Sequence, residues 1–310
     1  MTPSQKTRQR PSDRRTRLTV WVALSANLVI AAAKAVGGLV TGSPALLSEG
    51  AHSVADTLNE VFLLASLRRS RRPADRRHPF GYGKERWFWS LLAAVGIFVM
   101  GGCFSFFQGY QALAGHHGAP SSRYAIGLIV LVVALMAEGA SLLRALYQFR
   151  AQGGAGGDPA LRTVIAEDST AVLGVVLAMS GMSLHLATGE AAWEAAASFS
   201  IGLLLVYVAY RLGREAREQL IGEAVDPALA ARIRALLAAQ PEIHNVAALF
   251  TMRLGPDSAL VAARVDLVPG LDSEEVELVS ERIKRSVAAI WPQADQVFLD
   301  ITEAPVGDEG

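Results

Sequence analysis

Six long apolar segments constrain this 310-residue chain more than any other feature of its sequence. Each segment is close to the ~20 residues that an α-helix needs to cross the hydrocarbon core of a bilayer. Turn-forming glycine and proline residues, or clustered arginines, separate the segments. We therefore predict a membrane domain of six transmembrane helices over residues 18–212. The predicted helices are residues 18–40, 45–67, 87–113, 123–147, 161–186 and 195–212.

The charge of the connecting segments predicts their orientation. The N-terminal tail, residues 1–17, carries six Lys and Arg residues, and the arginine-rich loop, residues 68–86, carries eight. The connections on the other side carry only Arg123. Because positively charged loops stay in the cytoplasm, we expect both chain termini there. Frequent alanine and arginine with few lysines indicates a GC-rich bacterial genome and hence a bacterial plasma membrane.

Residues 213–303 have the pattern of a separate, water-soluble domain, followed by a short tail at 304–310. Two amphipathic helices and three alternating strands follow in the order α-β-β-α-β, which predicts a small cytoplasmic α+β domain of ferredoxin-like type. The predicted elements are Asp226–Gln240, Val246–Leu254, Ala259–Val268, Asp272–Ile290 and Gln296–Ile301. No phosphate-binding loop, catalytic nucleophile motif, cofactor fingerprint or nucleic-acid motif is present. We therefore expect neither an enzyme nor a nucleic-acid partner.

Ionisable residues in the second apolar segment indicate what the membrane domain does. His52, Asp56 and Glu60 are spaced by four residues, so their side chains share one face of a helix. Carboxylates inside a membrane are costly and are retained where they pair, line water or bind an ion. An imidazole with carboxylates suits a divalent transition metal, with zinc the leading candidate. Because these ligands must be deprotonated to bind metal, protons and metal compete for them.

The fifth segment carries a second acidic pair, Glu167 and Asp168. A transported ion needs ligands from at least two helices that can move relative to one another. These two neighbours are separated by about 100° around a helix, so we do not expect both of them to reach the same ion. Lys34 in the first segment is either functional or paired with an acid across a helix interface.

The sequence resembles the cation diffusion facilitator family of divalent-metal transporters. The motif His52-Ser-Val-Ala-Asp56, preceded by Gly42–Leu47, carries the likeness, together with His78–Arg86 in the arginine-rich loop. An acidic motif in the fifth segment and a cytoplasmic α+β domain after six segments complete it. The likeness is greatest to the branch that includes the human zinc transporter 9, in the residues Ala51–Asn59, Trp87-Phe88-Trp89 and Glu167-Asp168.

The resemblance implies a homodimeric exporter that works by alternating access and is driven by proton antiport. Zinc or another divalent transition metal is then the transported substrate, and no cofactor is expected. His52 and Asp56 match the family's ligands in the second segment. The rival hypothesis is a membrane scaffold or metal-responsive regulator that keeps the fold without transport.

The fifth segment departs from the family pattern, which is His or Asp, three residues, then Asp. Asp168 falls on the second ligand position and Val164 on the first. A register shifted by one residue favours Glu167 and leaves Ala171 opposite. We expect Asp168 as the ligand, followed by Glu167.

A second metal site occurs in the cytoplasmic loop of some family members, built from Asp, His and His. Asp75 and His78 match the first two positions of that site. Tyr82 stands where the last histidine would be, so the resemblance predicts only a weak loop site.

Overall fold

The structure is a computed structural model that describes residues 11–115, 121–151 and 159–302. The helices are α1 (Pro11–Thr41), α2 (Pro44–Arg69), α3 (Glu85–Gly96), α4 (Phe104–Leu113), α5 (Ser121–Ala151), α6 (Pro159–Thr188), α7 (Ala192–Ile221), α8 (Pro227–Ala238) and α9 (Ser273–Ile290). A π-helical segment, Ile97–Cys103, joins α3 to α4, and the strands are β1 (Ile243–Gly255), β2 (Ser258–Leu267) and β3 (Gln296–Ile301). The first ten residues of the predicted N-terminal tail and all of the predicted C-terminal tail, residues 304–310, lie outside the described residues.

These elements form two compact units. The first contains the described residues up to Phe62 together with Leu92–Gly213. The second contains Leu63–Leu91 and the described residues from Arg214 onward. The arginine-rich loop therefore belongs to the same unit as the C-terminal sheet, which the sequence pattern did not reveal.

Four helical stretches in the described part of the chain are long and apolar enough to cross a membrane. They are Glu85–Leu113, Arg123–Ala151, Val164–Thr188 and Ala192–Ile221. The ionisable residues of α2 make it less apolar than these four, and α1 contributes a shorter apolar stretch, Asn27–Thr41. The protein is thus a membrane protein with several apolar helices, and the count of six stays a prediction.

The core of the helical unit combines large apolar side chains with alanines. Its fully buried members include Leu46 on α2, Leu131 on α5, Met182 on α6 and Leu205 on α7. The Cβ that an alanine would add at Gly101 would lie 2.7 Å from the Leu205 side chain, so this glycine permits the close packing.

The second unit contains a three-stranded sheet in the order β1-β2-β3. Strand β2 pairs antiparallel with β1 and parallel with β3, because α9 carries the chain back to the start of the sheet. The apolar core of this unit contains Val261 and Val265 from β2 and Ile233 from α8. It also contains Ile283 and Val287 from α9, which are four residues apart on one helical face. The predicted order α-β-β-α-β is confirmed.

Local sequence signals determine where the two helices of this unit begin. The Asp226 side chain accepts a hydrogen bond from the backbone N–H of Ala228 at the start of α8. Asp272 and Glu275 form a reciprocal capping box at the start of α9. Both caps satisfy backbone donors that would otherwise lack a partner in the first turn of a helix.

The arginine-rich loop packs against the turn between β1 and β2. A Cβ at Gly83 would lie 2.4 Å from the backbone oxygen of Leu254, a distance too short for any side-chain carbon. A Cβ at Gly255 would in turn lie 2.9 Å from the Gly83 Cα. The ammonium of the neighbouring Lys84 donates to the carbonyl oxygen of Leu220 at 3.4 Å, near the end of α7. The contact therefore needs glycine on both of its sides.

Candidate metal-transport site

A cavity of about 110 Å³ lies within the helical unit, among α1, α2, α5 and α6. Five of its lining residues carry carboxylates, which come from three different helices. The lining residues are Asn27, Ile30, Ser53, Asp56, Asn59, Glu60, Glu138, Glu167, Asp168 and Ala171. An acidic cavity inside a bundle of apolar helices attracts cations.

The wall formed by α2 combines an imidazole with a carboxylate. His52 Nδ1 lies 3.5 Å from Asp56 Oδ2, and the two side chains are 4% and 42% exposed. Neither ring nitrogen of His52 has a hydrogen-bond partner among the described residues. Buried polar groups normally have such a partner, so this imidazole is available to a cation or a proton.

The wall formed by α6 presents both acids of the fifth segment. Glu167 Oε1 accepts a hydrogen bond from Asn59 Nδ2 on α2 at 3.3 Å. Asp168 Oδ2 accepts one from the Ser141 hydroxyl on α5 at 2.8 Å. Both acids line the cavity, with the longer glutamate bonded toward α2 and the aspartate toward α5. The sequence pattern identified neither Ser141 nor Asn59 as a partner of these acids.

The predicted ligands do not converge on one point. In the ranges that the structure describes, no three His, Cys, Asp or Glu side chains are close enough to hold a metal ion together. Asp56, Glu167 and Asp168 line the same cavity, whereas His52 is buried beside Asp56. Glu60 accepts a hydrogen bond from Asn27 Nδ2 at 2.5 Å. The α2 and α6 walls would therefore need to approach each other to bind one ion.

Lys34 lies beside this cavity in a buried ionic cluster. Its ammonium is 2.9 Å from Glu49 Oε1 on α2 and 2.6 Å from Glu138 Oε1 on α5. It also donates to the Ser53 hydroxyl at 2.9 Å. The predicted pairing of Lys34 with acids across helix interfaces is confirmed. The sequence did not show which acids, because the partners are distant in the chain.

The structure also brings together the residues of the predicted loop site. His78 Nδ1 is 3.4 Å from Asp75 Oδ1, and the Tyr82 hydroxyl donates to Asp75 Oδ2 at 2.7 Å. The backbone N–H of His78 also donates to Asp75 Oδ1, at 2.7 Å. The hydrogen bonds from Tyr82 and from this N–H lower the pKa of the Asp75 carboxyl. The hydrogen bond between Tyr82 and Asp75 raises the pKa of the Tyr82 phenol. The loop site itself stays a prediction.

Known proteins resemble this chain along most of its length. Residues 20–221 match the family model of the cation efflux transmembrane domain. The mitochondrial proton-coupled zinc antiporter SLC30A9 of Xenopus laevis is 31% identical over 269 residues, covering 81% of this chain and 48% of that protein. The human protein of that name is 31% identical over 258 residues, covering 80% and 45%. The manganese efflux system protein MneP of Bacillus subtilis is 23% identical over 292 residues, covering 90% and 93%. The chain thus spans about half the length of the first two relatives.

Proposed function

This chain belongs to the cation diffusion facilitator family, and on that premise we propose that it exports divalent metal ions from the cytoplasm. The motifs around His52 and in the arginine-rich loop predicted this membership. Proteins of the family are transporters rather than enzymes, and the metal is their substrate rather than a cofactor. We propose Zn²⁺ as the ion that this chain carries and protons as the ions that it exchanges.

One observation supports the site more than any other: His52 is buried beside Asp56 without a hydrogen-bond partner for either ring nitrogen among the described residues. An unsatisfied imidazole in an apolar bundle costs free energy. A metal ion or a proton that binds there would offset that cost. The acids on the α6 wall line the same cavity, which supports one of them as a ligand from a second helix.

The proposed mechanism uses competition between metal and protons. Metal entering from the cytoplasm displaces protons from His52 and Asp56, since both must be deprotonated to coordinate it. Asp168 supplies the ligand from α6, with Glu167 as the alternative. The helices then rearrange to open the cavity on the opposite side, as alternating access requires. Protons entering from that side return to the ligands and release the metal.

Zinc is favoured by the mixture of ligands. An imidazole nitrogen with carboxylate oxygens suits zinc, whereas manganese favours sites built largely of oxygen. The relatives from Xenopus and human are named as zinc antiporters, while the Bacillus relative is named for manganese efflux. We propose zinc on the strength of His52.

We also propose the arrangement that the sequence predicted. Six helices cross the bacterial inner membrane and leave both termini in the cytoplasm. The α+β domain pairs two copies of the chain into a homodimer. Asp75 and His78 in the arginine-rich loop form at most a weak second metal site, since Tyr82 already donates a hydrogen bond to Asp75.

Replacing Asp56 tests the transport site. We expect Asp56→Ala to abolish zinc uptake into vesicles reconstituted with purified protein, because it removes the carboxylate next to His52. Asp257→Ala is the matched control, since it removes an acid in the turn between β1 and β2. It is expected to keep wild-type flux. Equal flux in both variants would exclude the site, and absence of zinc flux in the wild type would favour the scaffold hypothesis.

A further inference from the structure

The surroundings of Lys34 are those of a bound cation. This residue and Glu49 are both fully buried, with 0% of the side chain exposed. The three oxygens around the ammonium belong to Glu49, Ser53 and Glu138, at 2.6 to 2.9 Å. An ammonium group has three donors, so each has one acceptor.

The two acids around Lys34 can carry more negative charge than its single ammonium neutralises. Glu49 and Glu138 each have a second carboxylate oxygen that is buried and has no hydrogen-bond partner among the described residues. A Cβ at Gly174 on α6 would lie 2.5 Å from one of them, Glu49 Oε2, so a glycine leaves room for that oxygen. With both acids ionised, two negative charges surround one positive charge. Carboxylate and hydroxyl oxygens are the ligands of hard cations such as Ca²⁺, Mg²⁺ and Mn²⁺.

This cluster is continuous with the transport cavity. Ser53 and Glu138 line the cavity as well as contacting Lys34. Ser53 also follows His52 directly in the sequence. The ammonium therefore engages a carboxylate that would otherwise face any metal ion in the cavity.

We propose that Lys34 is a tethered cation that occupies a second cation position beside the transport site. Glu49, Ser53 and Glu138 form this position, and the ammonium keeps metal ions out of it. Lys34 thereby limits the cavity to one metal ion and leaves the ligands of α2 and α6 as the binding set. The inference rests on the proposed function only in taking the cavity to be a metal site.

Removing the ammonium should turn this position into a metal site. The probe is radioactive Mn²⁺, measured by equilibrium dialysis on purified full-length protein in the Asp56→Ala background, which disables the transport site. We expect Lys34→Met in that background to bind one further Mn²⁺ ion per protomer. Adding Glu138→Gln should weaken this binding by at least tenfold, since it replaces a charged ligand. Ions bound elsewhere, as at Asp75 and His78, are common to all variants and cancel.

A second variant covers the case in which Lys34→Met does not fold. Lys34→Met combined with Glu49→Gln removes one charge of each sign, so the net charge of the cluster is unchanged. This pair keeps only one of the two carboxylates, so it should gain weaker Mn²⁺ binding than Lys34→Met alone, and adding Glu138→Gln should abolish that binding. If neither Lys34→Met nor the Lys34→Met, Glu49→Gln pair gains Mn²⁺ binding, the proposal is overturned and Lys34 is only an interhelical ion pair. Zinc flux of the wild-type protein is measured separately, so failure of the proposed function is recognised independently.

Discussion

Ser141→Ala tests which acid of the fifth segment binds the metal. The substitution removes only the hydroxyl on α5 that donates to Asp168 Oδ2 at 2.8 Å. Hydrogen bonds to charged groups contribute about 1.5–3 kcal/mol. Losing a partner that orients a metal ligand typically costs about 10–100-fold in affinity. Tenfold corresponds to about 1.4 kcal/mol, so the two scales agree. Because Asp168 is only half-buried, we expect the lower end, a loss of about tenfold.

The assay is the zinc concentration dependence of uptake into reconstituted vesicles. Ser180→Ala is the matched control, because its hydroxyl bonds the carbonyl of Val176 within α6. It is expected to leave the half-saturating concentration unchanged. Asn59→Ala removes the corresponding donor to Glu167. If Asp168 is the ligand, Ser141→Ala should raise that concentration about tenfold and Asn59→Ala much less.

The opposite ranking would refute this reasoning. A Ser141→Ala protein that saturates like the Ser180→Ala control, with Asn59→Ala shifted instead, would identify Glu167 as the ligand. That outcome would correspond to the family motif shifted by one residue.

Two further predictions concern the second unit. Gly83→Ala is expected to displace the arginine-rich loop, because its Cβ would lie 2.4 Å from Leu254 O. Faster tryptic cleavage of the loop than in the control Gly139→Ala, where a Cβ meets open space, would show this, and equal rates would contradict it. Tyr82→Phe is expected to raise the pKa of Asp75, since the Tyr82 hydroxyl is the main cause of its lowered pKa. A lowered pKa stabilises the loop above about pH 4, and this contribution is lost as the pH falls. Without the Tyr82 hydroxyl most of this contribution is absent, and the Asp75 carboxyl should take up its proton at a higher pH, which carbon NMR of labelled aspartate measures. An unchanged Asp75 titration would count against the bond.

Local sequence signals predicted the helices and strands of residues 226–301 well. Alternating apolar residues in β2 and the four-residue spacing on α9 determine which faces are buried, and Asp272 caps α9, which begins at Ser273. The His52–Asp56 pair was equally accessible from sequence, since four-residue spacing on a helix places the two side chains together. In both cases the relevant residues are neighbours in the chain.

Pairings between distant segments could not be predicted in this way. Lys34 and Glu138 are 104 positions apart, and Ser141 and Asp168 are 27 apart. No periodicity connects such residues, because their contact depends on how the helices pack. The charged residues inside apolar segments did signal that partners must exist, although not which ones. The contact of Gly83 with the β1–β2 turn is likewise a matter of packing.

Simultaneous measurement of zinc and proton movement in the same vesicles tests the central proposal most directly. Zinc is added outside vesicles that contain a pH-sensitive dye and wild-type protein, with Asp56→Ala as the comparison. We predict that zinc entry is accompanied by proton exit in the wild type, and that both movements are lost together in the variant. Zinc entry without proton movement, or paired movements that persist without Asp56, would contradict proton-coupled exchange at this site.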